Sequence, residues 1–157
     1  MQHNSSVKTL VVYYSRTGTT KKVGQEIARQ LKADEEEIFD VKSRLGPIGW
    51  LRSGREAMNK KLTEIKPIKK NPSKYDMVVI GTPIWAANMS SPVRTYLSKH
   101  KFKKTAYFLT GGGVPGKTFE EMSAIAGKPV ATLAITSKEA VQNTYSGKVE
   151  EFIASLK

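Results

Sequence analysis

The apolar run Leu10-Val11-Val12-Tyr13-Tyr14 passes through Ser15-Arg16-Thr17-Gly18-Thr19-Thr20 straight into an amphipathic stretch, and this succession constrains the fold most. A strand that is apolar on both faces must be covered on both, as buried parallel strands are. Parallel strands need long crossover connections, usually helices. Thr19–Leu31 supplies one, with Val23, Ile27, Ala28 and Leu31 on a single face. The turn between strand and helix also carries chemistry. Free N–H groups at a helix start point outward, and the helix dipole favours negative charge there. Ser15, Thr17, Thr19 and Thr20 add hydroxyl donors around Arg16, and Gly18 lets the backbone approach a ligand. A phosphate is the natural guest of such a turn; a capped helix is the plainer alternative.

The same alternation continues along the chain. Thr9–Tyr14 is the first strand, and Glu35–Val41 reads as a second on Ile38, Phe39 and Val41. The stretch Gly46-Pro47-Ile48-Gly49-Trp50 reads as a connection, followed by a basic helix over about Leu51–Leu62. Lys66–Lys74 reads as a solvated linker. Asp76–Gly81, Thr105–Thr110 and Pro129–Ile135 are the remaining strands. Pro92–His100, Thr118–Ala126 and Ser146–Leu156 are helices, the last with Val149, Phe152, Ile153 and Leu156 at helical spacing. Alternating β and α elements imply an α/β fold, a three-layer α/β/α sandwich around a five-stranded parallel sheet. A chain of 157 residues suits one such domain, with residues 1–6 as a tail.

Composition narrows the function classes. With no cysteine, the chain has no disulfide, thiolate metal site, Cys-ligated cluster or thiol nucleophile. His3 and His100 stand alone, so no metal spacing and no Ser-His-Asp set appears. No apolar run is long enough to span a bilayer, and Met1 to Ser6 lacks a signal peptide's apolar core, so a cytoplasmic location and no membrane association are expected. The net charge is +12, unevenly spread. Residues 41–74 hold ten Lys or Arg against Glu56 and Glu64, and residues 94–104 add five more against no acid. Such surfaces attract anions or acidic proteins. Without aromatic residues interleaved among the cations, nucleic acid is not the expected partner.

In doubly wound sheets, ligands bind beyond the carboxyl ends of the strands, where strand order reverses. Three loops belong there. The first is Ser15–Thr20. The second follows strand three as Thr82-Pro83-Ile84-Trp85-Ala86-Ala87-Asn88-Met89, with a Trp whose flat face suits stacking on a planar ring. The third is Thr110-Gly111-Gly112-Gly113, whose glycines let backbone amides reach a ring edge.

Together these loops resemble the flavodoxin family over about residues 7 to 157, through Ser15-x-Thr17-Gly18-x-Thr20, Gly81-Thr82-Pro83-Ile84-Trp85 and Thr110-Gly111-Gly112. The resemblance implies sheet order 2-1-3-4-5 and an FMN site. Ser15, Arg16, Thr17, Gly18, Thr19 and Thr20 would hold the phosphate. Thr82, Pro83, Ile84, Trp85, Ala86 and Asn88 would flank the ribityl chain and ring. Thr110, Gly111, Gly112 and Gly113 would meet the ring's pyrimidine side. The flavin would carry the chemistry, with no catalytic side chain and no metal. The implied role is electron transfer between redox partners, here with an acidic partner protein. An NAD(P)H:quinone-type reductase is the alternative. Two departures stand out. Flavodoxins that shuttle electrons are typically acidic, whereas this basic chain implies a less reducing couple for the fully reduced flavin. The glycine that members often place in loop two, whose peptide can flip toward the ring in one-electron chemistry, is missing from Ile84-Trp85-Ala86-Ala87-Asn88.

A rival pattern exists. Gly111-Gly112-Gly113-Val114-Pro115-Gly116-Lys117-Thr118 matches G-x-x-x-x-G-K-[ST], the P-loop of nucleoside triphosphatases. It follows the fourth strand rather than the first. The later strand Val130–Ile135 ends in Thr136-Ser137-Lys138, without the magnesium-binding Asp. An NTPase would also leave Ser15–Thr20 without a role. On the flavin reading, Lys117 would add positive charge at the pocket rim.

Overall fold

The computed structural model describes residues 7–113 and 115–157; Met1 to Ser6, read above as a tail, and Val114 of the P-loop-like segment lie outside them. Strands β1 (Thr9–Tyr14), β2 (Asp34–Ile38), β3 (Met77–Trp85), β5 (Thr105–Gly111) and β6 (Thr132–Thr136) form a parallel sheet in the order β2-β1-β3-β5-β6. This is the expected order 2-1-3-4-5. A further strand, β4 (Asn88–Met89), pairs antiparallel with the end of β3. The helices are α1 (Thr19–Leu31), α2 (Gly46–Met58), α3 (Ser91–Lys99), α4 (Thr118–Ala126), α5 (Ser137–Gln142) and α6 (Ser146–Ser155).

Alternation along the strands divides the core between two faces. Val11, Tyr13, Val79, Phe108 and Ile135 face α1 and α6, meeting Val23, Ile27, Val149 and Phe152. Leu10, Val12, Val78, Ile80 and Tyr107 face the other side, against Val93, Tyr96 and Leu97 of α3 and Met122 of α4. The result is the expected three-layer sandwich.

Where the structure departs from the sequence reading, the causes are local. β2 covers Asp34–Ile38 rather than Glu35–Val41, because its polar residues have partners. The Tyr13 hydroxyl donates to Glu35 at 2.7 Å, the backbone N–H groups of Lys69 and Lys70 donate to Glu36, and Lys21 pairs with Glu37 at 2.9 Å. Phe39 and Val41 are half exposed beyond the strand. β3 runs four residues past Gly81, so loop two is not a loop: its first half extends the strand and its second half returns as β4. α5, absent from the sequence reading, begins at a capping box in which Thr136 and Glu139 bond each other's backbone. That Thr-x-x-Glu spacing was available in the sequence.

α2 starts at Gly46, five residues before the expected Leu51. Pro47 sits in its first turn, where the missing N–H costs nothing. Its first turn then packs hard against the preceding chain. A Cβ at Gly49 would lie 2.3 Å from the Arg44 carbonyl carbon and oxygen, so only glycine fits. At Gly54, one turn on, a Cβ would meet nothing within 4 Å. Gly49→Ala should therefore lower stability by about 1–3 kcal/mol, as overpacking does, although Ala is the better helix former. Gly54→Ala should raise it by up to about 1 kcal/mol. Denaturant unfolding of the pair checks both signs; two changes of the same sign would contradict the packing described.

Candidate functional site

β1, β3 and β5 run parallel, so their carboxyl ends deliver three segments to one edge of the sheet. The first is Ser15–Thr20. Gly18 adopts φ +106°, open to glycine, and its N–H donates to the Ser15 hydroxyl at 3.0 Å. No side chain caps α1, and its first turn holds no acidic residue. The first-turn amides have no partner inside the helix, and no side chain caps them. Thr17 is exposed and Thr19 half-buried beside them. Two of the predicted phosphate ligands are otherwise engaged. The buried Thr20 hydroxyl lies 2.8 Å from that of Thr110, tying the first segment to the third. Arg16 donates from Nε to the Arg44 carbonyl at 2.8 Å and from Nη2 to that of Gly46 at 3.1 Å, tying the segment to the start of α2.

The second wall is the β3–β4 hairpin. Ala86 and Ala87 form its two-residue turn, both with positive φ (50° and 58°). Asn and Gly favour this conformation, and alanine holds it at a cost of about 1 kcal/mol per residue. The Asn88 amide donates to the Ala86 carbonyl at 2.7 Å, fastening the turn. Asn88 thus braces the wall without lining it. Thr82 is fully buried, its hydroxyl donating to the Pro83 carbonyl and accepting from the Ser90 N–H. It turns away from the site. Trp85 is half-buried, edge-on to Tyr14 at 5.5 Å, with the Arg44 guanidinium 5.2 Å from its ring centre.

Arg44 is 3% exposed and ties the wall together. It pairs with Asp40 and Glu56, each at 2.5 Å, and donates to the Ser53 hydroxyl. Burial works against its charge, but the hydrogen bonds to both carboxylates outweigh it and raise its pKa. Burial pushes the Tyr14 hydroxyl up to about 12, with Arg44 opposing, so the phenol stays neutral beneath Trp85.

The third segment, Thr110–Gly113, runs off β5. Gly111 packs close to Ile84, where a Cβ would come within 3.2 Å of the Ile84 side chain. The three segments enclose a cavity of about 1020 Å³. Its walls include Ser15, Arg16, Thr17, Thr19 and Thr20, then Pro83 to Ala86, then Thr110 to Gly113. Of the expected residues, Gly18, Thr82 and Asn88 are not in the wall. Sequence reasoning missed Ser137 at the start of α5 and a whole side built by α2: Trp50, Leu51, Ser53, Gly54, Arg55 and Met58. The recurrence of Trp50, Gly54 and Met58 every four residues is the signal of this face, masked because Gly46-Pro47-Ile48-Gly49-Trp50 reads as a connection. Arg16 and Arg55 are the charged residues of the wall, and no Asp or Glu lines it among the described residues.

The P-loop-like segment is used differently. The Thr118 hydroxyl, which a P-loop would offer to magnesium, is buried and donates to the Pro115 carbonyl at 2.6 Å. A Cβ at Gly116 would come 2.8 Å from the Ala87 carbonyl oxygen, so this segment packs on the hairpin turn. Lys117 is not in the cavity wall.

The profile of the Flavodoxin family matches residues 8–134. Among solved structures, a flavoprotein from Lactobacillus acidophilus NCFM in complex with FMN is similar at 23% identity, covering 87% of this chain and 97% of that one, with a TM-score of 0.68. A candidate flavoprotein from Bacteroides uniformis shares 21% identity over 90% of this chain and 100% of that one, with a TM-score of 0.74. An apo NADH:FMN oxidoreductase shares 14% identity over 94% and 89%, with a TM-score of 0.54. A comparison with curated proteins returned no match.

Arg44→Met should cost about 3–5 kcal/mol, because it leaves the buried Asp40 carboxylate without its cation and Glu56 with Lys42 alone. Arg44→Met combined with Asp40→Leu should recover part of that loss. Thermal unfolding with Trp fluorescence measures both; a neutral single variant would mean the network holds nothing in place.

Proposed function

The chain belongs to the flavodoxin family, and on that premise we propose that its cavity binds FMN and that the protein works in electron transfer. The observation that carries this is the uncapped start of α1. Its free amides, the Ser15, Thr17 and Thr19 hydroxyls and the absence of any acidic side chain in the first turn fit a phosphate dianion. Trp85 and the glycine-rich Thr110–Gly113 segment form two walls that suit a flat ring, within a cavity large enough for a whole mononucleotide. Bound FMN supplies the redox chemistry; the protein supplies binding, orientation and field. Arg16 in the wall, with no carboxylate lining the cavity among the described residues, favours negative charge on the bound group.

The partner is an acidic redox protein, reached through the basic surface. Arg52, Arg55 and Lys61 on and just after α2 are exposed, and Arg55 lines the cavity. Electrostatic steering of that kind sets association rate more than affinity. The protein acts in the cytoplasm on this reading; no helix among the described residues is long and apolar enough to cross a membrane.

A second reading is an FMN-dependent NAD(P)H:quinone-type reductase. Two observations favour it. The Ala86–Ala87 turn lacks a glycine and its carbonyl is held by Asn88, so the peptide is not free to turn toward the ring. The α2 side of the cavity also offers room for a small substrate. Steady NAD(P)H oxidation with a quinone would select this role over the carrier.

FMN should bind at least about 100-fold more tightly than riboflavin, as two charge-assisted hydrogen bonds of about 1.5 kcal/mol each imply. Titration followed by visible absorbance checks it, and equal affinities would remove the phosphate from the Ser15–Thr20 segment. Electron exchange with an acidic iron–sulfur carrier should slow steeply with added salt in stopped-flow traces. A flat salt response would exclude a steered acidic partner.

A further inference from the structure

α2 presents a face to the cavity that the flavin-binding segments leave without a task. Trp50, Gly54 and Met58 recur every four residues with Leu51 and Arg55 alongside, so the five form one stripe, and all five line the cavity. Its large apolar members are mostly exposed: Trp50 by 63%, Leu51 by 64% and Met58 by 60%. Surface apolar residues scattered singly need no explanation, but a contiguous group at the rim of a concave site marks a ligand or partner. Gly54 sits in the middle of the stripe. A glycine inside a helix weakens it by about 1 kcal/mol relative to alanine. Unlike Gly49, Gly54 is not required by any neighbour, since a Cβ there would touch nothing within 4 Å. Its effect is to leave a bare shelf of helix backbone between Trp50 and Met58, open to the cavity.

The charge at the shelf is one-sided. Arg55 is exposed and pairs with no carboxylate among the described residues. The adjacent Glu56 points the other way, held by Arg44 and Lys42. A flat shelf, an indole and a thioether beside it, and one free guanidinium together describe a recognisable guest. The shelf admits a planar ring, Trp50 and Met58 give it apolar and polarisable contacts, and Arg55 suits a carboxylate or sulfonate.

We propose that the α2 stripe binds a small planar aromatic anion, lying on the Gly54 shelf between Trp50 and Met58 with its acidic group on Arg55. The proposal rests on the reading that FMN fills the three-segment side of the cavity, and it names the class of small molecule bound next to the flavin.

The test uses FMN-loaded protein and naphthalene-2-sulfonate, with 2-naphthalenemethanol as the neutral counterpart. Binding is followed by calorimetry, and flavin occupancy separately by visible absorbance. The expected result is saturable one-site binding of the sulfonate, at least about tenfold tighter than the alcohol, consistent with one charge-assisted contact. Arg55→Gln should remove that preference by weakening the sulfonate about tenfold. Gly54→Leu should abolish binding by filling the shelf. Both variants should titrate FMN as the parent does. The proposal is overturned by a loaded protein that shows no sulfonate binding, by equal affinity for the neutral alcohol, or by a Gly54→Leu protein that binds as the parent does. Loss of FMN affinity in either variant, or displacement of FMN by the sulfonate, overturns it too, since the shelf or the segments would then hold one shared ligand. A protein that takes up no FMN at all overturns the flavin reading, and the proposal falls with it.

Discussion

Parallel pairing of β1, β3 and β5 is the constraint from which the site follows. Their register sets Val11 against Val79 and Val79 against Ala106, so the three strands finish at one edge of the sheet. The pairing by itself brings together everything that emerges there. The strands are buried on both faces, and their apolar runs leave no freedom to slip register without exposing one face of the core. The convergence at the site is thus a by-product of core burial. One cross-tie then joins the first and third segments, the Thr20–Thr110 hydroxyl pair across the edge.

What the strands leave open, Arg44 closes. It lies outside the sheet, in the chain leading to α2, yet it touches three parts of the cavity wall. Its carbonyl accepts from Arg16 of the first segment, its guanidinium lies near the ring of Trp85 and donates to the Ser53 hydroxyl of α2, and its ion pairs are with Asp40 and Glu56. A buried cation needs such company, because burial without partners costs far more than one contact returns. Meeting that need also positions α2, whose Gly49 is pressed onto the Arg44 backbone. The shape of the cavity on this side is therefore set by an electrostatic requirement, not by hydrophobic periodicity.

That difference explains which parts could be read from the chain. β1, α1 and α4 match their expected limits residue for residue, because their apolar spacing and flanking turns agree. Thirteen of the sixteen expected site residues line the cavity, since they follow strands whose direction was already implied. Thr82 and Asn88 flank wall residues in sequence but are not in the wall, since β3 continues as a strand, alternating its side chains, and then reverses at a tight turn. Pro83 reads as loop punctuation, yet it lies in the strand beside Thr110 of β5. Local residue preference pointed one way and sheet pairing another, and pairing prevailed.

By itself the sequence determined the layer architecture, the strand order through the family likeness, and the strand–turn–helix junction at Ser15–Thr20. Those properties depend on periodicity and on backbone chemistry within a few residues. Only the tertiary structure decided that α2 forms a side of the cavity, that Thr20 and Arg16 spend their polar groups on neighbouring segments, and that the Thr118 hydroxyl is buried. Each of these is a contact between residues far apart in the chain, such as Arg16 with Arg44 or Thr20 with Thr110. Whether a polar group serves a ligand or a neighbour depends on what else lies within hydrogen-bond reach, and no local pattern records that distance.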